Sequence, residues 1–104
     1  MNVSVPGQGR VIGFYGKDIQ STVAMEECAE LIQAISKMRR SEDVRYEDDR
    51  EAYDKAYGNL VEEMADVLII LEQLEEMYGV SDREIQSVIE KKTVRQEERM
   101  HGHA

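Results

Sequence analysis

The 104-residue chain has no tryptophan, one proline, one phenylalanine and one cysteine, and these shortages narrow what it can be. A lone Cys28 excludes an internal disulfide framework and suits a reducing compartment. No apolar stretch approaches the ~20 residues of a membrane-spanning helix. The start of the chain, with Pro6, Gly7 and Gly9, does not resemble a signal peptide. Positive charge is scarce as well: 13 Lys and Arg against 22 Asp and Glu leave a net charge of −9. Such a surface attracts neither nucleic acid nor an anionic membrane. The expectation is a cytoplasmic protein with no nucleic-acid or membrane partner. At this length residues 1–104 make one domain, with no room for a second core. A chain this short buries roughly two-thirds of its unfolded surface, so association with further copies is a natural supplement to its stability.

What the sequence does have is helical periodicity. Residues 1–16 are glycine-rich and read as a flexible arm or short extended segment. Their run GQGRVIG spaces glycines as GxGxxxG, unlike a dinucleotide-binding loop, and no βαβ pattern surrounds it. From about Asp18, with Asp18 or Ser21 as cap, Ala24, Cys28, Leu31, Ile35 and Met38 recur at spacings of four and three. That is one apolar stripe of an amphipathic helix, with Cys28 in the core. Residues 39–58 are densely charged, and Ala52, Tyr53, Ala56 and Tyr57 suggest a short amphipathic helix with Gly58 as a kink. A second long helix follows from Asn59 to Tyr78, its stripe being Leu60, Met64, Val67, Leu71, Leu74 and Tyr78, and Gly79 its stop. Ser81 followed by Glu84 is a capping box that opens a last helix with Ile85, Val88 and Ile89 on its apolar face, fraying over 100–104. The fold class is all-α, a bundle of about four helices.

The two long helices repeat one pattern. Placed thirty-six residues apart, Glu26, Glu27, Ala29 and Glu30 fall over Glu62, Glu63, Ala65 and Asp66, while Leu31, Ile32, Ile35 and Met38 fall over Val67, Leu68, Leu71 and Leu74. Within each helix the last two acids are three apart, which puts their Cβ atoms about 5–6 Å from each other. Relative to the apolar stripes, Glu27 and Glu63 lie roughly 60° and Glu30 and Asp66 roughly 120° to one side, at the edge of the expected seam. Side-by-side packing then gathers four carboxylates. Like charges so close repel unless a cation sits among them. All-oxygen ligation suits Mg²⁺, with Mn²⁺ as a substitute. The helices lack the Glu-x-x-His pair of di-iron bundles. A Mg²⁺ site also lets an acidic protein hold a polyanionic nucleotide, because the ion mediates the contact. A solvated acidic face is the alternative reading of either motif alone.

The segments EECAELIQAISKMRR and LVEEMADVLIILEQL, with their motifs Glu27-x-x-Glu30 and Glu63-x-x-Asp66, resemble the MazG-like all-α nucleoside triphosphate pyrophosphohydrolases. The resemblance covers residues 18–99, and the separation between the motifs is long for that family. It implies a helical bundle assembled as a dimer or tetramer, and Mg²⁺-dependent cleavage of an NTP or dNTP to the monophosphate and pyrophosphate. Glu27, Glu30, Glu63 and Asp66 would be both catalytic and metal-binding. Gln20 as a base or ribose contact, and Lys37, Lys91 and Arg95 as phosphate contacts, are the nucleotide-binding candidates. Phosphoribosyl-ATP as the substrate, or a non-catalytic helical interaction module, are the rival readings.

Overall fold

A computed structural model describes residues 1–43 and 50–102, and among these it contains helices and no strand. The order is α1 (Gly9–Tyr15), α2 (Lys17–Ser41), α3 (Arg50–Tyr78) and α4 (Asp82–Gly102). None of them is long and apolar enough to cross a membrane. Helices α2 and α3 pack along each other as an antiparallel pair, α1 lies against both, and α4 does not pack along the pair.

The local signals explain where the helices end. Gly79 adopts φ +66, and Val80 N–H donates to Glu75 O at 3.0 Å, the wrap-around bond of a glycine-terminated helix. Glu84 N–H then donates to Ser81 Oγ at 3.1 Å, so the expected cap opens α4. That helix continues to Gly102, beyond the expected fraying point, and His103 and Ala104 lie outside the described residues.

Three expectations need correction. The glycine-rich arm contains α1, and Gly16, at φ 91 and ψ 157, turns the chain directly into α2. Few L-residues adopt that conformation, which is why a glycine stands there. Neither Asp18 nor Ser21 caps α2; Ser21 Oγ instead donates back to Asp18 O at 3.0 Å. Finally, α3 starts at Arg50 and runs unbroken through Gly58. An Arg50–Asp54 ion pair at 3.4 Å and stacked Tyr53 and Tyr57 rings, 6.5 Å apart, support its first turns. The short helix expected around Ala52–Tyr57 is therefore the start of α3, without the expected kink at Gly58, and residues 44–49, including Tyr46, lie outside the described residues.

The face that α2 offers to α3 is not its oiliest one. Gln20, Ala24, Ala34 and Met38 are buried on α2, and Ala56, Ile70 and Gln73 on α3. Including the half-buried Glu27 and Leu31, and Asn59, Glu63, Asp66 and Met77, each face follows alternating steps of three and four. This is the seam of an antiparallel coiled pair, narrowed by alanines that let the backbones approach. The expected stripes coincide with it only in part: Ala24, Leu31 and Met38 of the α2 stripe lie in the seam, and the other members turn away from it. Cys28 is exposed, and Ile35, Met64, Leu71 and Tyr78 are each more than two-fifths exposed. The helices have two apolar faces, and the intrachain contact uses the one with small residues.

A ladder of glutamines sets the register. Gln20 Nε2 donates to Gln73 Oε1 at 3.0 Å, and Gln73 Nε2 donates to Gln8 Oε1 at 3.2 Å. Gln8 N–H in turn donates to Glu76 Oε1 at 3.1 Å, which ties the N-terminal segment to α3. Because Gln20 and Gln73 are only 6% and 4% exposed, Gln73→Leu should destabilise the protein by about 1–3 kcal/mol by stranding the Gln20 amide. Adding Gln20→Leu should recover most of that loss. Denaturant melts of the two single variants and the double variant measure it; additive losses would show that the two amides act independently.

Candidate metal centre

The glutamine pair dictates what lies further along the seam. Seven residues onward from Gln20 stands Glu27, and seven back from Gln73 stands Asp66. Seven residues are about two turns, so in antiparallel helices these side chains meet at one level. Three residues more place Glu30 opposite Glu63. Carboxylate oxygens of Glu27, Glu63 and Asp66 all lie within 4.8 Å of one another. Glu30, exposed at the rim, is close enough to hydrogen-bond both Glu27 and Glu63. The two motifs thus converge as the repeat predicts. Glu27 and Glu63 correct the expected geometry in one respect: they lie in the seam itself, each with one carboxylate oxygen buried.

That placement costs the carboxylates their solvent. Glu27 Oε2 and Glu63 Oε2 are buried and have no hydrogen-bond partner among the described residues. Burial is the first cause that pushes the Glu27 carboxyl up from 4.5 to about 7, followed by the charges of Glu30, Asp66 and Glu63. Glu63 is raised in the same direction, by burial first and then by Glu30 and Asp66. None of the four acids has an ion pair among the described residues. Buried acceptors with nothing to accept from are uncommon in folded proteins, and each needs a reason. A hard divalent cation answers both the missing partners and the mutual repulsion. The donors are all carboxylate, with no histidine or thiolate among them, a set of hard oxygen ligands.

A pH dependence follows. A carboxyl whose folded pKa is raised from 4.5 to about 7 stabilises the fold fully below the lower value, and that contribution disappears as pH rises through the upper one. Glu75, at the α3–α4 junction, adds a term of the same sign; its hydrogen bond with Asp82, then burial, raise it to about 7. Chelator-treated protein should therefore melt at a higher temperature at pH 5 than at pH 8. Mg²⁺ should narrow the gap from the alkaline side, because metal binding requires the deprotonated carboxylates. Melting curves with EDTA and with Mg²⁺ across that range test this; equal midpoints in EDTA would contradict it.

The remaining candidates are placed differently. Gln20 is buried with its amide spent on Gln73, so its side chain serves the helix pair. Lys37 is exposed on α2, two turns beyond Glu30 and on the connection side of the centre. Lys91 and Arg95 are exposed on α4, which leaves the helix pair, and the fold does not bring them to the carboxylates of their own chain. Glu26 and Glu62 are exposed, turned away from the seam. His101 is exposed near the end of α4. Sequence reasoning missed Arg40, Lys55 and Asn59, which share an open cavity with Lys37. The available signal was position: Asn59 and Lys55 precede Glu63 by one and two turns on α3.

Comparison of the chain with protein-family models, with curated proteins and with solved structures finds no match.

Proposed function

We propose that the protein is a Mg²⁺-dependent nucleotide pyrophosphohydrolase of the MazG-like type, converting an NTP or dNTP to the monophosphate and pyrophosphate. The observation that carries this reading is the pair of buried, partnerless oxygens on Glu27 and Glu63, set among four like-charged acids at the meeting point of the two repeated motifs. A structural seam would fill those positions with apolar residues, as it does at Ala34 and Ile70. Glu27, Glu30, Glu63 and Asp66 would hold the metal. When bound, the ion supplies charge neutralisation for the phosphate chain and Lewis acidity toward its oxygens.

The rest is the work of the chain's own residues. The stiff seam fixes Glu27 and Glu63 before substrate arrives, so little reorganisation is needed during reaction. Glu30 stands at the solvent edge, where a triphosphate would enter. In-line attack of water on the α-phosphorus, with departure of pyrophosphate, asks mainly for positioning and electrostatic compensation. The walls of helices α2 and α3 supply the positioning.

The working unit in this proposal is a homo-oligomer, a dimer at least. The chain exposes 8516 Å², against about 6,000 Å² expected for a folded monomer of 12.0 kDa. Its radius of gyration is 17.5 Å, where a compact chain of this length has about 13 Å. The surplus is roughly 2,500 Å² per chain, about 5,000 Å² for a pair, within the range that obligate interfaces bury. Much of it is apolar: Ile32, Ile35 and Leu71 on the helix pair, and Ile85, Val88 and Ile89 on α4. Assembly is also the route by which Lys91 and Arg95 would reach a carboxylate centre.

The test is a product analysis. Purified protein with Mg²⁺ or EDTA meets each common NTP and dNTP, and phosphoribosyl-ATP, and the phosphate products are separated. Metal-dependent monophosphate plus pyrophosphate is the expected result. Release of orthophosphate and diphosphate, or no turnover of any of them, would reject the reading.

A further inference from the structure

The connection end of the α2–α3 pair carries a feature that the carboxylate centre does not explain. A cavity of about 630 Å³ opens there between the last turns of α2 and the first turns of α3, lined by Lys37, Arg40, Lys55, Asn59, Ala52 and Ala56, with Ser41 beside them. In a chain of net charge −9, three cations face one hollow. None of them forms an ion pair among the described residues. Ala52 and Ala56 add small apolar side chains to the lining, and the lysines carry their charges on aliphatic stems. Unpaired like charges held around one concavity repel each other, and an anion in the middle removes that repulsion.

The donor set indicates which anion. Lys37 and Lys55 offer point charges, and the Asn59 amide adds a neutral donor. Among the described residues the Arg40 guanidinium makes one hydrogen bond, a long 3.4 Å contact to Ser36 Oγ, and its fork of N–H groups suits a bidentate contact. Ser41 donates its hydroxyl to Met38 O at 2.7 Å and so brings no further donor. Three positive charges with a fork and an amide match a multiply charged oxyanion such as a phosphate chain better than a single carboxylate.

Position links the hollow to the carboxylates. Asn59 precedes Glu63 by one turn, and Lys37 follows Glu30 by two, about 10 Å along the helix axis. An anion held by the cations would therefore lie on the same seam as the acids, beyond them toward the connection. We infer that this cavity is a distinct pyrophosphate-binding site, in which Lys37, Arg40 and Lys55 hold a phosphate chain without metal. Its use for the leaving pyrophosphate of the substrate rests on the pyrophosphohydrolase reading; its binding of the anion does not.

The experiment is a calorimetric titration of the full chain with inorganic pyrophosphate in EDTA at low salt, where the acidic centre has no metal to offer. Saturable binding is expected for the parent and for Glu63→Gln alike, weakening as salt is added. The Lys37→Met/Lys55→Met double variant, which keeps the aliphatic stems, should bind at least tenfold more weakly while melting within a few degrees of the parent. No saturable binding to the parent, or binding that survives the double substitution or vanishes in Glu63→Gln, would overturn the inference. Should the chain bind pyrophosphate in this way and yet hydrolyse no nucleotide, the site stands and the pyrophosphohydrolase reading fails. Where hydrolysis is observed, the double variant should raise KM for the triphosphate more than it lowers kcat.

Discussion

Replacing Glu63 by Gln is expected to lower metal-dependent nucleotide cleavage by on the order of 10²-fold or more, while the metal-free protein becomes harder to melt. Both effects have one origin. The Glu63 carboxylate is raised in pKa by burial and by Glu30 and Asp66, so in the absence of metal its charge opposes folding. An amide of nearly the same shape removes that charge and can donate a hydrogen bond to the neighbouring acids, including the partnerless Glu27 oxygen. In the proposed metal centre the same change would take a charged oxygen from the ion and leave three acids to hold it. A residue that serves only the fold shows the opposite pattern, since its removal costs stability and leaves metal response untouched. Activity assays with product separation, and melting curves in EDTA, report the two effects independently. A variant less stable than the parent in EDTA, with unaltered Mg²⁺ stabilisation, would place Glu63 in the scaffold.

The second large effect concerns assembly. Under the proposed assembly, Ile85→Lys with Ile89→Lys should convert the oligomer to monomer and abolish cooperative melting. Helix α4 is 21 residues long and has no buried residue within its own chain. Among the described residues only its first turns, at Asp82, Ile85 and Gln86, lie beside α3 and the N-terminal segment, and most helical stability in proteins comes from packing an apolar face. Ile85, Val88 and Ile89 are 38–51% exposed in the chain alone, and the outer faces of α2 and α3 are similarly bare. Two lysines on that face place charges where the interface would be dry. The parent's melting temperature should rise with protein concentration, as mass action requires when folding and association are coupled. Light scattering behind gel filtration gives the mass of each form. A parent that elutes as a monomer of 12.0 kDa with a concentration-independent melt would exclude the assembly.

Much of this was legible in the residues and some of it was not, for physical reasons. The two long helices, the Gly79 stop and the Ser81–Glu84 cap follow from periodicity and short-range chemistry, which depend on neighbours in sequence. The meeting of Glu27, Glu30, Glu63 and Asp66 followed from the repeat, because antiparallel packing of two equivalent faces brings the two motifs to one level, with the first acid of each across from the last acid of the other. The choice of face did not follow. Ala24, Leu31 and Met38 of the stripe expected on α2 do meet α3, but its Cys28 and Ile35 turn outward while Glu27 and Ala34 complete the seam, and periodicity alone does not say which flank of such a stripe meets α3 and which awaits another surface. Hydrophobicity favoured the flank with Cys28 and Ile35; the small Ala34 lies on the flank that packs. Gln20 was open to a ligand-contact reading because its partner Gln73 lies 53 residues away and is polar, so no apolar pattern links them. Helix α1 escaped notice because seven residues with two glycines give periodicity too few turns to register.

The most direct measurement is a titration of the metal-free protein with Mn²⁺ near pH 8, followed by the electron paramagnetic resonance signal of the free ion, with Mg²⁺ as competitor. If the seam acids are a metal centre, the parent binds Mn²⁺ saturably, Mg²⁺ displaces it, and Glu27→Gln and Glu63→Gln each weaken the binding strongly. Occupancy should also raise stability, by about 2.7 kcal/mol when free metal exceeds Kd a hundredfold. Free Mn²⁺ that rises in step with total Mn²⁺, identical for the parent and both variants, would contradict the proposal and leave the repeated acids as scaffold.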